Sequence, residues 1–147
     1  MASKKIQEQV NELTEDQKIS ILENGKKALT FTSVVLVITI VVMAIWIFFS
    51  HVAVTIAENN YNMLGEKLHS TSAESMIDPI NEWLKAGDVY FALVNICTTV
   101  AVVIPLSGFI MIVVRLIQLK KKCPLYSDRK YFFLKKEQKM KRLSFKK

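Results

Sequence analysis

His51 and Asn95 are the two polar side chains whose placement calls for a chemical reason. His51 lies seven residues inside Glu58, and Asn95 lies seven residues inside Asp88. Both sit within long apolar runs. At a helical rise of about 1.5 Å per residue, each is about 10 Å inward of the nearest charge. In an antiparallel pair of helices they share a depth. An imidazole and a carboxamide there can hydrogen-bond, within one chain or between copies. The alternative is that His51 reaches the wet interface. His69, with Glu66 three residues before it, reads as a solvated surface pair.

The remaining reactive side chains are scattered. Cys97 lies in the second apolar run and Cys123 just beyond it. They cannot meet without unfolding the pair, so no disulfide is expected. The spacing of Cys and His matches no metal site. The phosphate-loop, dinucleotide, zinc-protease and dithiol motifs are all missing from the sequence. The expectation is a chain with no catalytic residue, no metal and no cofactor. The apolar runs also hold no acid or lysine, whereas an ion relay needs ionisable groups inside the membrane.

Those runs define the elements. The chain has 147 residues, 51% hydrophobic and 22% charged. Ala28–Ala57 contains 30 residues without Asp, Glu, Lys or Arg, and Val89–Val114 contains 26. A membrane span needs roughly 20. A water-soluble domain and a disordered middle are both excluded on this pattern. The fold class expected is an all-α integral membrane protein, a two-span helical hairpin. Its segments are an N-terminal cytoplasmic helix (1–27), a first span (28–57), an extracytoplasmic segment (58–88), a second span (89–114) and a basic cytoplasmic tail (115–147). The first span is too long for a signal-peptide core and follows an acid-containing stretch, so it reads as a retained signal anchor. The Lys-, Ile- and Asn-containing composition reads as bacterial, which points to the cytoplasmic membrane.

Charge sets the orientation. The net charge is +7, with residues 1–27 neutral, residues 58–88 at −4 and residues 115–147 at +11. Lys and Arg beside span ends mark the cytoplasmic side. Lys26 and Lys27 precede the first span, and Arg115, Lys120, Lys121 and Lys122 follow the second. Both termini are therefore expected in the cytoplasm. A basic tail held at a bilayer meets anionic lipid head groups before nucleic acid, at about 1 kcal/mol per basic residue. Lys120, Lys121, Lys122, Lys135, Lys136, Lys139 and Arg142 are the expected lipid contacts, with Phe132 and Phe133 as anchors. Phe133 with Met140, and Phe132 with Leu143, fit one helical face of an amphipathic tail, the alternative being a disordered one.

Local signals divide the chain further. Residues 3–24 read as helix. Thr14-Glu15-Asp16-Gln17 is a capping box, and Ile6, Val10 and Leu13 form one stripe, either resting on head groups or meeting a partner. Asn24-Gly25 reads as a stop or hinge. Residues 59–75 read as loop. Asp78-Pro79 starts a short amphipathic helix in the outer interface, with Trp83 toward lipid. Pro105 should kink the second span, and Gly108 leaves a bare patch for a partner helix. Pro124 should end the helix that continues from that span.

A hairpin of this size has enough surface to dock and too little to catalyse. The reading is a small structural or accessory subunit, packed against other membrane subunits or copies of itself through Asn95, Pro105, Gly108 and His51. A second reading is a self-associating pore. The layout, with two spans, both ends inside and a basic tail, resembles that of some phage holins, although it spends more residues outside and before the first span than they do. The topology has a direct test. With single cysteines at Ser3, Ser72 and Ser144, an impermeant thiol reagent on intact cells should label the Ser72 site alone.

Overall fold

The computed structural model describes residues 2–145. Met1 lies outside it, as do Lys146 and Lys147, which the charge of the tail includes. Every regular element among the described residues is helical. They are α1 (Ala2–Asn11), α2 (Glu15–Ser70), a short 3₁₀ turn (Ala73–Ser75), α3 (Ile77–Lys122) and α4 (Asp128–Ser144).

The break between α1 and α2 follows from Thr14. Its backbone N–H donates to Gln17 Oε1 at 3.0 Å, and Gln17 N–H donates back to Thr14 Oγ1 at 3.4 Å. This reciprocal cap starts α2 with Glu15 and Asp16 in the first turn, where the helix dipole favours them. One helix over 3–24 is thus two. The hinge expected at Asn24-Gly25 is not there, because α2 runs through both residues.

Two of these helices are long and apolar enough to cross a membrane, α2 and α3. Only 6% of the best apolar window in each is buried. A core helix of a soluble domain would be mostly covered, and an uncovered apolar surface of this extent is far beyond what water tolerates.

The described chain forms two compact units, residues 38–108 and the terminal segments on either side. In the central unit, segments of α2 and α3 run antiparallel. Gly65 faces Trp83, Gly87 faces Tyr61 and Gly108 faces Thr39, so numbers rise along one helix as they fall along the other. The covered positions of α3 repeat every seven residues, Gly87, Val94, Ala101 and Gly108, with Tyr90, Cys97 and Ile104 between them. That is the seam of two helices wound about each other. α2 stays helical to Ser70 and α3 begins at Ile77, so most of 59–75 is helix and not loop. Polar composition misled there: charged residues occupy the outward face, while Tyr61, Leu64, Gly65 and Leu68 hold the inward one. The outer interfacial helix is not a separate element either. α3 passes through Gly87 without pause, and Trp83 stacks on Tyr61 with centroids 5.3 Å apart, not on lipid. Pro105 also lies inside unbroken helix.

The terminal unit is built as a water-soluble bundle would be. α1, the start of α2, the end of α3 and α4 enclose Val10, Ile21, Ala28, Leu119, Cys123, Tyr126, Tyr131 and Leu134. Val10 and Ile21 are fully buried. The Ile6/Val10/Leu13 stripe is spent on this core. α3 ends at Lys122, two residues before Pro124. In α4 the buried face is Tyr131 and Leu134, whereas Phe132, Met140 and Leu143 are exposed. The amphipathic face therefore differs from the one the spacing implied.

Gly25 packs directly against Tyr131. A Cβ there would overlap the Tyr131 ring, so Gly25→Val must push α4 away from α2. Overpacking of this kind costs about 1–3 kcal/mol. In mild detergent the variant should lose the protection of the α4 lysines against trypsin, while its helical circular dichroism stays near that of the parent.

Candidate interaction surfaces

In the apolar stretches of the central unit, the polar groups that matter to the helix pair divide into two sets. The inward set closes the helix pair. Trp46 Nε1 donates to the Cys97 carbonyl at 3.1 Å, so this indole serves the helix contact and not an interfacial belt. Such bonds average about 0.6 kcal/mol between membrane helices. Gly108 is buried, and a Cβ on it would meet Thr39 Oγ1 at 2.6 Å. The bare patch assigned to a partner helix is thus filled by the chain's own α2. Farther out, Tyr61 stacks on Trp83 and on Tyr90, with Phe91 at its edge. Each pair is worth about 0.5–1.5 kcal/mol beyond its buried area.

The outward set is His51 and Asn95. Both are exposed and both fall off the covered stripes. No hydrogen bond joins them among the described residues. Thr98 and Thr99, beside Asn95 on the same face, turn their hydroxyls back to the carbonyls of Val94 and Asn95 at 2.8 Å and need no partner. Ser107 does the same to Ile104. Pro105 is exposed between them. Serine and threonine in a span are expected to bond back to the preceding turn, but Ser50 Oγ, next to His51, is buried without a hydrogen-bond partner.

The basic residues expected to meet lipid belong to the terminal unit. Lys120, Lys121 and Lys122 form the last turn of α3, all exposed. Lys135, Lys136, Lys139 and Arg142 are exposed on α4. Phe132 is 58% exposed, while Phe133 is half-buried against the core. Of the two anchors, Phe132 alone presents most of its ring outward. Arg115 lies 5.6 Å from the centre of the Phe31 ring, a cation–π contact that sequence spacing could not show. Among the described residues, no group of three or more His, Cys, Asp or Glu converges as metal ligands would.

Ionisation in the terminal unit follows its packing. Glu15 and Glu23 are held below the usual carboxylate range by their hydrogen bonds to Lys18 and Lys27. Tyr126 is pushed up to about 12, first by burial and then by the hydrogen bond its hydroxyl donates to Asp128 at 2.8 Å. The raised value means that the folded bundle favours the protonated phenol. That contribution to stability is complete below the ordinary 10.0 and is lost as pH rises through about 12. The difference in tyrosinate absorbance between parent and Tyr126→Phe, titrated in detergent, should show one step near pH 12; a step near 10 would mean that the phenol is neither buried nor bonded to Asp128.

No protein-family model matches the chain, and neither the curated proteins nor the solved structures compared with it include a similar one.

Proposed function

We propose that this chain is a non-enzymatic accessory subunit of a larger membrane assembly. In this reading α2 and α3 form a membrane hairpin with both termini on the cytoplasmic side of a bacterial inner membrane. The outward placement of Asn95 carries the reading. Its carboxamide has two donors and an acceptor, and lipid satisfies none of them. A helix pair that needed only to sit in lipid would leave that position apolar. Polar side chains in a span are expensive and are met by neighbouring helices. His51, exposed on α2, adds a second polar position of the same kind. The inward contacts through Trp46 and Gly108 are already complete, so these outward groups are free to meet another subunit or another copy.

Extraction of the tagged chain in a gentle detergent should recover it in an assembly larger than the 16.8 kDa chain. Asn95→Leu should lower the recovered fraction modestly, in proportion to a bond of about 0.6 kcal/mol. Induced expression should leave the membrane potential intact. Abrupt depolarisation on induction would replace this reading with the self-associating pore.

A further inference from the structure

α2 and α4 border a groove of about 660 Å³ in the terminal unit. Its α2 wall includes Ile19, Leu22, Lys26, Leu29 and Thr30, and its α4 wall includes Tyr131, Lys135 and Arg142. The volume falls in the range of ordinary ligand sites, roughly 300–1,000 Å³. Charge within it is one-sided. The acid on its wall, Glu23, is ion-paired at 2.7 Å with Lys27, which does not line the groove. Lys26, Lys135 and Arg142 have no acid partner among the described residues. Lys135 lies 5.7 Å from the centre of the Tyr131 ring, so the aromatic floor steadies the cation without neutralising it.

The α2 wall carries Lys26 between Ile19 and Leu22 on one side and Leu29 on the other. Lys26 and Lys27 are the last charges before the apolar run that begins at Ala28, and the wall continues past them to Leu29 and Thr30. Cations are thus placed where the sequence turns apolar. That sequence of surfaces matches an amphiphile with an anionic head and an apolar body.

We propose that this groove is a binding site for an anionic phospholipid of the leaflet on the side of the termini. Lys26 and Lys135 bind the head-group phosphate, with Tyr131 as floor, and an acyl chain follows Leu29 onto the span. Arg142, on the same wall, extends the site for a head group with a second anionic group. This goes beyond general attraction of a basic tail to a charged surface, because it assigns the phosphate to Lys26 and Lys135 and leaves the cations outside the groove without a part. It rests on the reading that α2 enters a membrane.

The test uses the full chain purified in neutral detergent, with native mass spectrometry counting retained lipid. Phosphatidylglycerol is the probe, and phosphatidylcholine of the same chain length is the control. The parent should retain one phosphatidylglycerol in preference to phosphatidylcholine. Lys26→Gln/Lys135→Gln should bind it roughly thirtyfold more weakly, from about 1 kcal/mol for each cation. Lys120→Gln/Lys121→Gln, which removes as much charge outside the groove, should bind as the parent does. If the groove variant lacks the parent's circular dichroism, Lys26→Gln alone decides, with a roughly fivefold loss expected.

Equal retention by the groove variant, or equal loss in the Lys120/Lys121 control, overturns the site. Displacement by free glycerol phosphate at the same concentration would make it a site for a soluble anion, and tighter binding of poly-glutamate would make it a peptide site. Either result overturns the lipid assignment. Release of the parent from membranes by alkaline carbonate overturns the membrane reading itself, whereas a chain that stays in the membrane and keeps its lipid in the groove variant overturns the site alone.

Discussion

The central unit depends on how closely two helix backbones can approach, and in the membrane proposed for it the medium supplies no hydrophobic force. Lipid tails are as apolar as leucine, so apolar burial between spans gains almost nothing. What remains is dispersion, which is appreciable only at contact distance, and an occasional hydrogen bond. Both require small residues at the seam. Gly87 and Gly108 stand three heptads apart on α3, one receiving Tyr61 and the other Thr39. Gly65 receives Trp83 from the other direction. Once the backbones are that close, the Trp46 indole reaches the Cys97 carbonyl and Tyr61 stacks on Trp83 near Gly65 and Gly87. None of the glycines has a positive φ, so their role is space and not backbone freedom.

The terminal unit is held differently, by burying Val10, Ile21, Tyr131 and Leu134 in one core. α1 alone is ten residues, too short to hold a helix in water without packing. The core is what holds it, and α4 closes the core from the other end of the chain. A tail that sequence alone presents as a cationic amphipathic segment along a membrane is therefore also a structural wall. Its charge is left on the outside because its two buried side chains, Tyr131 and Leu134, take up the inner face. The same division of faces creates the groove beside α2: the cations cannot enter the core, and the apolar residues between them line a surface that neither helix covers.

Much of this was legible in the residues, and the failures share one cause. The two apolar runs, the capping box at Thr14 and the stop before Pro124 are signals read within one stretch of chain, and each has its counterpart in the structure. The misread positions are those where a local signal was overruled by a contact from far along the sequence. Gly25 looks like a helix end until Tyr131, more than a hundred residues away, is seen to occupy the space of its missing side chain. Residues 59–70 look like loop until Tyr61 and Leu64 are matched with Trp83 and its neighbours. Trp83 looks like a lipid anchor until Tyr61 is found against it. Glycine and tryptophan carry different meanings in each setting, and nothing within a few residues distinguishes them. His51 and Asn95 were singled out for their depth, which spacing gives; which way they face is a property of the seam, which it does not.

That orientation separates what the fold needs from what it does not. Trp46 and Asn95 are both polar groups within apolar helices, yet only the first is used by the chain itself. A buried hydrogen bond inside the pair stabilises the pair, and removing it exposes a donor with nowhere to go. An outward carboxamide does the reverse: it makes the isolated pair less comfortable in lipid and leaves the seam untouched. Apolar residues at Asn95 and His51 would give a helix pair at least as stable on its own. In the proposed reading, the cost they impose is offset when a neighbour supplies the missing donor or acceptor. The same reasoning distinguishes Thr98 and Thr99, whose hydroxyls are satisfied by their own helix and which carry no such demand.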